Sequence, residues 1–345
     1  MTKKILHYSF TLTLMILLAQ ANAQLDRSTS KVGTTAAQFL KIGAGARAIG
    51  MGGTYTAISN DIYSIYYNPA GIANTTGTGQ VAFNHAEWLA SINYDFAALS
   101  LNLADFGTLF FSLTSLGVPE DKVRTFDFPE GDGRVWDASS LAIGVGFAKK
   151  LTDKFAIGFQ AKYIREAIWT TSATGFAIDV GTYYITPFND MVIGASITNF
   201  GSKMRLEGRD ILFNTDPDNN QSTGPNNVLS RYEMDEFDIP LTFRIGLAMD
   251  VVKERYFRAT VAVDATHPND NTEYVNTGLE LAYDEMAFLR IGYKSLFLRD
   301  SEQGLTFGGG LKYAFNDQFT LFVNYGWADY GRLENVQFFD LGIGF

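Results

Sequence analysis

Few side chains in this sequence are equipped for covalent or metal chemistry. The 345 residues include three histidines and no cysteine, which excludes disulfides, thiolate metal sites and a cysteine nucleophile. One histidine, His7, lies in the N-terminal leader, leaving His85 and His267. Neither sits in a G-x-S-x-G or other nucleophile–base pattern, and two scattered histidines make a poor zinc set. Both are read as surface residues near strand ends. Glu120, Asp121, Asp127, Glu130, Asp132 and Asp137 crowd one stretch. They lack the ordered oxygen spacing of a calcium loop and are expected to form a solvated loop. The run Gly43-Ala44-Gly45-Ala46-Arg47-Ala48-Ile49-Gly50-Met51-Gly52-Gly53 superficially suggests a phosphate loop. It has no preceding strand, no P-loop lysine and no βαβ context. No enzymatic activity, metal or cofactor is therefore expected.

The elements that carry these residues follow from composition and periodicity. With 27 basic against 37 acidic side chains the net charge is −10, which argues against a nucleic-acid partner because phosphate binding needs clustered Lys and Arg. Twenty-eight Phe, 17 Tyr and 33 Gly with only 19% charged residues suit a sheet whose outer face meets something other than water. Alternation supports this. In Leu241–Asp250 the odd positions are Leu, Phe, Ile, Leu, Met and the even ones Thr, Arg, Gly, Ala, Asp; Phe257–Asp264 and Val275–Tyr283 repeat the pattern. Side chains alternate across a strand, so each segment has one bulky apolar face and one small or charged face. A soluble sandwich also alternates, but its second face is large and polar and its strands are shorter. Small residues mixed with charges over segments of roughly 10–13 residues fit a membrane barrel with a crowded or watery lumen.

The expected strands are 80–88, 92–103, 107–116, 139–150, 155–166, 173–185, 190–200, 238–251, 256–267, 273–284, 287–298, 304–315, 318–328 and 335–345. The fold class is thus all-β, an antiparallel transmembrane barrel of about fourteen strands, even-numbered as in bacterial barrels. Every second connection is tight, such as Ala104-Asp105-Phe106 and Asn316-Asp317, while the others vary and two, 117–138 and 201–237, are long. That is the asymmetry between the periplasmic and outer ends of such barrels. Trp88, Trp169, Trp327 and Tyr330 fall toward the variable-loop side, and Phe155, Tyr256, Tyr283, Phe315 and Phe319 toward the tight-turn side, which suggests two aromatic girdles.

Three regions result. Residues 1–23 read as a secretory signal peptide: Lys3 and Lys4, an apolar stretch from Ile5 to Ala19, then Ala21-Asn22-Ala23 before Gln24. No cysteine follows the cleavage pattern, so lipidation is not expected. Residues 24–79 do not alternate and are expected to plug the lumen of the barrel formed by 80–345. Within the plug, Pro69 sets a turn and biases Asn68 away from helix.

The stretch AAQFLKIGAGARAIGMGGTYTAISNDIYSIYYNPAGIA at 36–73 resembles the opening of the PorV/PorQ family, outer-membrane proteins related to FadL-type fatty-acid channels. The resemblance is carried by Phe39-Leu40, Gly45-Ala46-Arg47, Gly50-Met51-Gly52-Gly53, Asp61 and Asn68-Pro69-Ala70, and by Ile239–Arg244 after the long loop. It implies a fourteen-stranded barrel with an N-terminal hatch in the bacterial outer membrane. It also implies a role in type IX secretion, in which family members receive exported cargo from a translocon and carry it to an attachment complex. The last strand, ending in Phe345, is similar to the strand read by the outer-membrane assembly machinery.

The candidate functional residues fall into three groups. The plug motif comprises Gly45, Arg47, Gly50, Gly52, Gly53, Asp61, Asn68 and Pro69. The lumen charges, by register, are Arg244, Arg258, Asp264, Glu280, Arg290 and Lys312, with Lys162, Asp179, Lys294 and Asp340, expected to pair with plug groups such as Arg47 and Asp61. Ile49, Met51, Ile58 and Ile62 are placed to line a small apolar pocket. Phe126, Trp136, Met234 and Phe237 lie in the long loops, where translocon, attachment-complex or cargo proteins would dock. Surface export with no catalysis is the function expected, in contact with outer-membrane lipid. The alternative is a FadL-like channel for long-chain fatty acids or other hydrophobic small molecules.

Overall fold

The computed structural model describes residues 31–217, 227–315 and 318–345. The expected signal peptide at 1–23, residues 24–30 of the expected plug, Asp218-Asn219-Asn220 and Gly224-Pro225 of the expected long loop, and Asn316-Asp317, expected as a tight connection, lie outside the described residues. Fourteen strands form the wall: β1 (Gly79–Trp88), β2 (Ile92–Asn102), β3 (Thr108–Lys122), β4 (Val135–Thr152), β5 (Phe155–Ile168), β6 (Thr171–Ile185), β7 (Val192–Gly201), β8 (Thr242–Lys253), β9 (Phe257–Pro268), β10 (Tyr274–Tyr283), β11 (Ala287–Leu296), β12 (Leu305–Ala314), β13 (Thr320–Asp329) and β14 (Asn335–Gly344). Each pairs antiparallel with its chain neighbours. β14 pairs with β1, placing Leu341 opposite Phe83 and Gly344 opposite Gln80. The sheet therefore closes, and within the barrel each of the fourteen strands is paired on both edges, the condition for a sheet to cross hydrocarbon.

The register puts the bulky apolar face outward. Phe243 and Val261 are exposed, and Leu279, opposite Val261, shares their face. The charges alternate to the other side: Asp264, Glu280 and Asp340 are buried in the lumen. No helix among the described residues is long and apolar enough to span a membrane; the strands are the spanning elements.

The expected loop 117–138 is largely strand. β3 pairs with β2 only as far as Gly117 and β4 with β5 only from Ala138. Beyond that rim the two strands pair with each other alone, Asp121 opposite Trp136 and Lys122 opposite Val135. A two-stranded arm of about 16 Å thus projects from the variable-loop end, and Trp136 is half-buried on a strand rather than in a loop. The polarity that marked this stretch as a loop reflects solvent on both faces of the arm. The long loop 202–241 also carries structure. Glu207–Gly208 pairs antiparallel with the start of β6, Leu212–Thr215 pairs with Val228–Arg231, and Phe237 bridges Met204. β8 starts at Thr242 rather than 238, because Ile239 and Pro240 are turned into the protein ahead of it.

The girdles need one correction. Tyr256, Tyr283, Phe315 and Phe319 are exposed at the tight-turn end, and Trp169 at the other. Trp88 and Tyr330, however, turn inward and meet edge to face with ring centroids 5.0 Å apart. Trp88 has the parity of the buried Asn84 and Ala86, and the plug residues Phe39, Leu40 and Ile42 belong to the apolar cluster these rings join.

An outer face bathed in lipid should be sensitive to charge. Leu247 is exposed at the middle of β8. Leu247→Arg is expected to cost about 2–4 kcal/mol in equilibrium unfolding from phospholipid vesicles. A cost within about 0.5 kcal/mol, usual for a neutral surface site, would contradict a lipid-facing wall.

Candidate functional site: a plug clamped to the barrel wall

Residues 31–78 run through the lumen from one end to the other. At the variable-loop end Thr35 bridges Asp238; at the tight-turn end the Thr78 amide donates to the Phe345 carbonyl. Between them lie single turns at Gln38–Lys41, Ala46–Gly50, Ser64–Tyr67 and Pro69–Asn74. Such short helices are not stable alone, so the wall must hold them. Asn68 shows how. Extended at φ −152°, it accepts from the Ala70 amide, while Pro69 opens the next turn. Its Nδ2 donates to Thr56 O at 2.8 Å and to Thr182 O on β6 at 2.9 Å.

The plug backbone lies directly on the wall. A Cβ added to Gly50 would sit 2.9 Å from the Gly308 Cα, and one added to Gly308 3.1 Å from the Gly50 Cα. Gly52, at φ +70°, would place a Cβ 2.7 Å from Thr277 O. Here glycine is required for both conformation and space. The Gly45-Ala46-Arg47 turn and Gly53, also at positive φ, complete this part of the motif. The small-residue face of the wall is therefore crowded rather than watery. Ile49, Met51, Ile58 and Ile62 are packed into it rather than lining a free pocket.

One charged cluster joins plug to wall. Arg47 reaches Glu280 on β10 with a two-pronged contact, Nε and Nη2 each 2.8 Å from a carboxylate oxygen. Its Nη1 donates to Asp61 at 2.8 Å, and the Tyr55 hydroxyl donates to the same carboxylate. From the wall, Arg290 donates to Glu280 at 2.7 Å and to Asn324 at 2.8 Å. Arg258 donates to Glu280 at 3.1 Å and to Glu285 at 2.6 Å. Two further wall carboxylates hold plug backbone: Asp264 accepts from the Tyr55 and Thr56 amides at 2.9 and 3.0 Å, and Asp340 from the Ala46 amide at 2.7 Å. Asp179 instead pairs within the wall, with Lys162 at 2.6 Å. Arg244 and Lys294 lie apart from this network at the variable-loop end. Lys312 is exposed on its strand near the tight turns and joins none of it.

Magnitudes separate the roles. Met51, Ile62, Ile65 and Ile72 are fully buried in the plug, each worth about 1.5–3 kcal/mol. A buried ion pair often does no better than an apolar replacement, but breaking one leaves a stranded charge at a cost of about 3–5 kcal/mol. Apolar burial thus holds the plug in the lumen, and the charges dictate where it sits.

A separate latch ties down the plug's first turn. Asp270, just past β9 and almost fully buried, accepts from Thr35 and Gln38 at 2.9 Å each and from Lys41 at 2.8 Å. Burial pushes its carboxyl up, but these bonds and the Lys41 charge outweigh it and hold the pKa below the ordinary 3.8. Sequence reasoning passed over Asp270, which belongs to no motif.

Outside the lumen the chemistry is sparse. His85 pairs with Asp95 at 2.7 Å and His267 with Glu273 at 2.8 Å, both at the surface. No metal-binding cluster occurs among the described residues. Of the loop residues, Phe126 is almost wholly exposed at the tip of the β3–β4 arm, Phe237 is exposed, and Met234 is half-buried.

A closed, even-numbered antiparallel wall, apolar outside and filled by an N-terminal segment, is the architecture of an outer-membrane barrel protein. The chain is similar to the CymD monoaromatic hydrocarbon channel (11% identity, 88% of this chain and 96% of that one, TM-score 0.53). It is also similar to a Pseudomonas aeruginosa FadL homologue (11%, 92% and 99%, 0.52) and to the Pseudomonas putida toluene transporter TodX (12%, 87% and 97%, 0.53). At these identities the likeness shows the fold alone. Comparison with curated proteins gives no match. Residues 24–269 match the family described as type IX secretion system protein PorV, and the chain belongs to that family.

Two outcomes are expected. Glu280→Gln strands the buried guanidinium of Arg290 and takes one carboxylate partner from Arg47, which keeps Asp61, and from Arg258, which keeps Glu285. It should cost about 3–5 kcal/mol, read as a lowered unfolding midpoint together with faster protease cleavage within residues 31–78. Unchanged cleavage would contradict the clamp. The Asp270 carboxyl is depressed in the folded state, so its contribution is present above 3.8 and is lost as pH falls through the lower folded value. Hydrogen exchange at residues 35–41, corrected for intrinsic rates, should rise below about pH 4, and Asp270→Asn should show the raised exchange already at pH 7.

Proposed function

We propose that this protein is a non-enzymatic component of type IX protein secretion in the bacterial outer membrane. In this role it holds exported cargo, or a translocon or attachment-complex partner, at its variable-loop end. The family match over residues 24–269 carries the proposal. The β3–β4 arm supports it. Phe126 and Phe128 stand exposed at its tip among Glu120, Asp121, Asp127, Glu130 and Asp132, beyond the reach of the neighbouring strands. Exposed aromatics on a projecting, acid-flanked arm are costly in water and suit an apolar pocket on a protein partner. Met234, Phe237 and Trp136 border the same end.

The competing reading is a channel for long-chain fatty acids or other hydrophobic small molecules. Its support is the architecture shared with a monoaromatic hydrocarbon channel and a toluene transporter. Against it stand the glycine contacts and the Glu280 cluster, which commit plug and wall to one packed arrangement.

Deleting the gene and comparing surface and medium proteomes tests the proposal: exported proteins that share a C-terminal sorting domain should be lost from the surface. The double variant Phe126→Ser/Phe128→Ser should reproduce much of that loss while the barrel still assembles. Export of every such cargo at wild-type levels from the deletion strain would refute it.

A further inference from the structure

A cavity of about 890 Å³ opens at the variable-loop end between the first turn of the plug, β8, β10, β11 and the loop that follows β11. Its wall includes Lys41, Arg244 and Lys294, with Tyr274, Ser301 and Gln303 beside them. A fourth cation, Arg299, lies exposed in the loop after β11, and the other three are not equivalent. Lys41 is neutralised by Asp270 at 2.8 Å. The Arg244 guanidinium has a single hydrogen bond, to the Thr198 hydroxyl at 3.0 Å. The Lys294 ammonium reaches only the Ile42 carbonyl, at 3.4 Å. Neither meets a carboxylate among the described residues.

This sets the two apart from the other lumenal cations that are at least half-buried. Arg47, Arg258 and Arg290 share Glu280, and Lys162 has Asp179. Acids do line the cavity, but Glu273 is turned to His267 and Glu302 to Arg332, and Asp300 lies exposed in the loop. Two partly buried cations without a salt bridge among the described residues, Arg244 feeling only the more distant carboxylate of Asp264, leave net positive potential in a recess. A guanidinium with free donors matches the paired oxygens of a carboxylate or phosphate. The volume falls within the range of about 300–1,000 Å³ typical of small-molecule sites, more than a bare ion fills. The hydroxyl and amide side chains of Tyr274, Ser301 and Gln303 beside the cations suit a hydroxylated ligand, with Phe297 and Leu298 forming an apolar part of the lining.

We infer that this vestibule binds a polar organic anion, its carboxylate or phosphate held by Arg244 and Lys294 and its hydroxyl groups by the polar side chains around them. The inference is independent of the secretion role, since it uses neither the arm nor its aromatic tip.

Calorimetry on the purified full-length barrel in detergent tests it, with glucuronate, glucose 6-phosphate, inorganic phosphate and glucose as probes. At least one of the two anionic sugars should bind saturably, more weakly as salt rises, while glucose does not bind and inorganic phosphate binds about tenfold more weakly or less. Arg244→Gln and Lys294→Gln should each weaken binding by about tenfold, and Arg244→Lys should recover part of it, with the barrel still migrating as a folded species in an unboiled gel. Four results would overturn the inference: no saturable binding of either anionic sugar, equal binding of glucose, inorganic phosphate binding as tightly as the sugars, or full binding retained by the folded double Gln variant. Loss of export in the arm variant with binding intact would leave this site standing on its own.

Discussion

The whole arrangement rests on the contact between two backbones. A plug can run the length of a fourteen-stranded barrel only if the wall lets its main chain come within van der Waals reach. The wall does so by omitting side chains where the plug passes. Gly292 and Gly308 take Gly52 and Gly50, Gly278 takes Met51, Gly246 and Gly194 take Thr56, and Gly181 and Gly158 take the Asn68-Pro69-Ala70 turn. A methyl group at most of these positions would overlap main-chain atoms on the other side, and main chain does not yield as a lysine tip does. Close packing of this kind transmits displacement instead of absorbing it.

Polar groups then finish what shape begins. Single-turn helices expose amides that no i→i+4 bond satisfies, and inside a barrel water is scarce. Asp264 and Asp340 supply the missing acceptors from the wall, and Asn68 supplies both a donor and an acceptor from the plug. Glu280 gathers three arginines drawn from the plug and two different strands. Because its two oxygens must serve all three, a shift of the plug along the lumen would break several bonds together. The cluster therefore fixes register more than it adds stability.

The two ends of the molecule differ for the same reason. At the tight-turn end the turns are short and Phe345 closes the sheet onto Gly79. At the other end the wall stops being continuous. β3 and β4 outrun their neighbours to form a free arm, and the loops after β9 and β11 fold over the cationic vestibule. Both proposals, the partner-binding arm and the anion vestibule, lie where the chain is no longer committed to closing the barrel.

Much of this was legible in the residues themselves. Period-two alternation is imposed by lipid on one face and a packed lumen on the other, so strand number, order and facing followed from local sequence. The placement of Phe243 and Val261 outward and Glu280 inward needed nothing more. Other features depended on distant partners and could not be read locally. Trp88 and Tyr330 stand where interfacial aromatics stand, and only the arrival of Phe39 and Leu40 makes an apolar niche for them inside. Asp270 is an ordinary loop aspartate until Thr35, Gln38 and Lys41 come from more than 200 residues away. The 117–138 segment looked like a polar loop because an arm wetted on both faces has no apolar side to betray it. What the sequence by itself determined was therefore the closed wall, since alternation is a property of neighbours along one strand. What only the tertiary structure decided was which lumenal charges are tied in salt bridges and which, like Arg244 and Lys294, are not, because that depends on where a separate segment comes to rest against the wall.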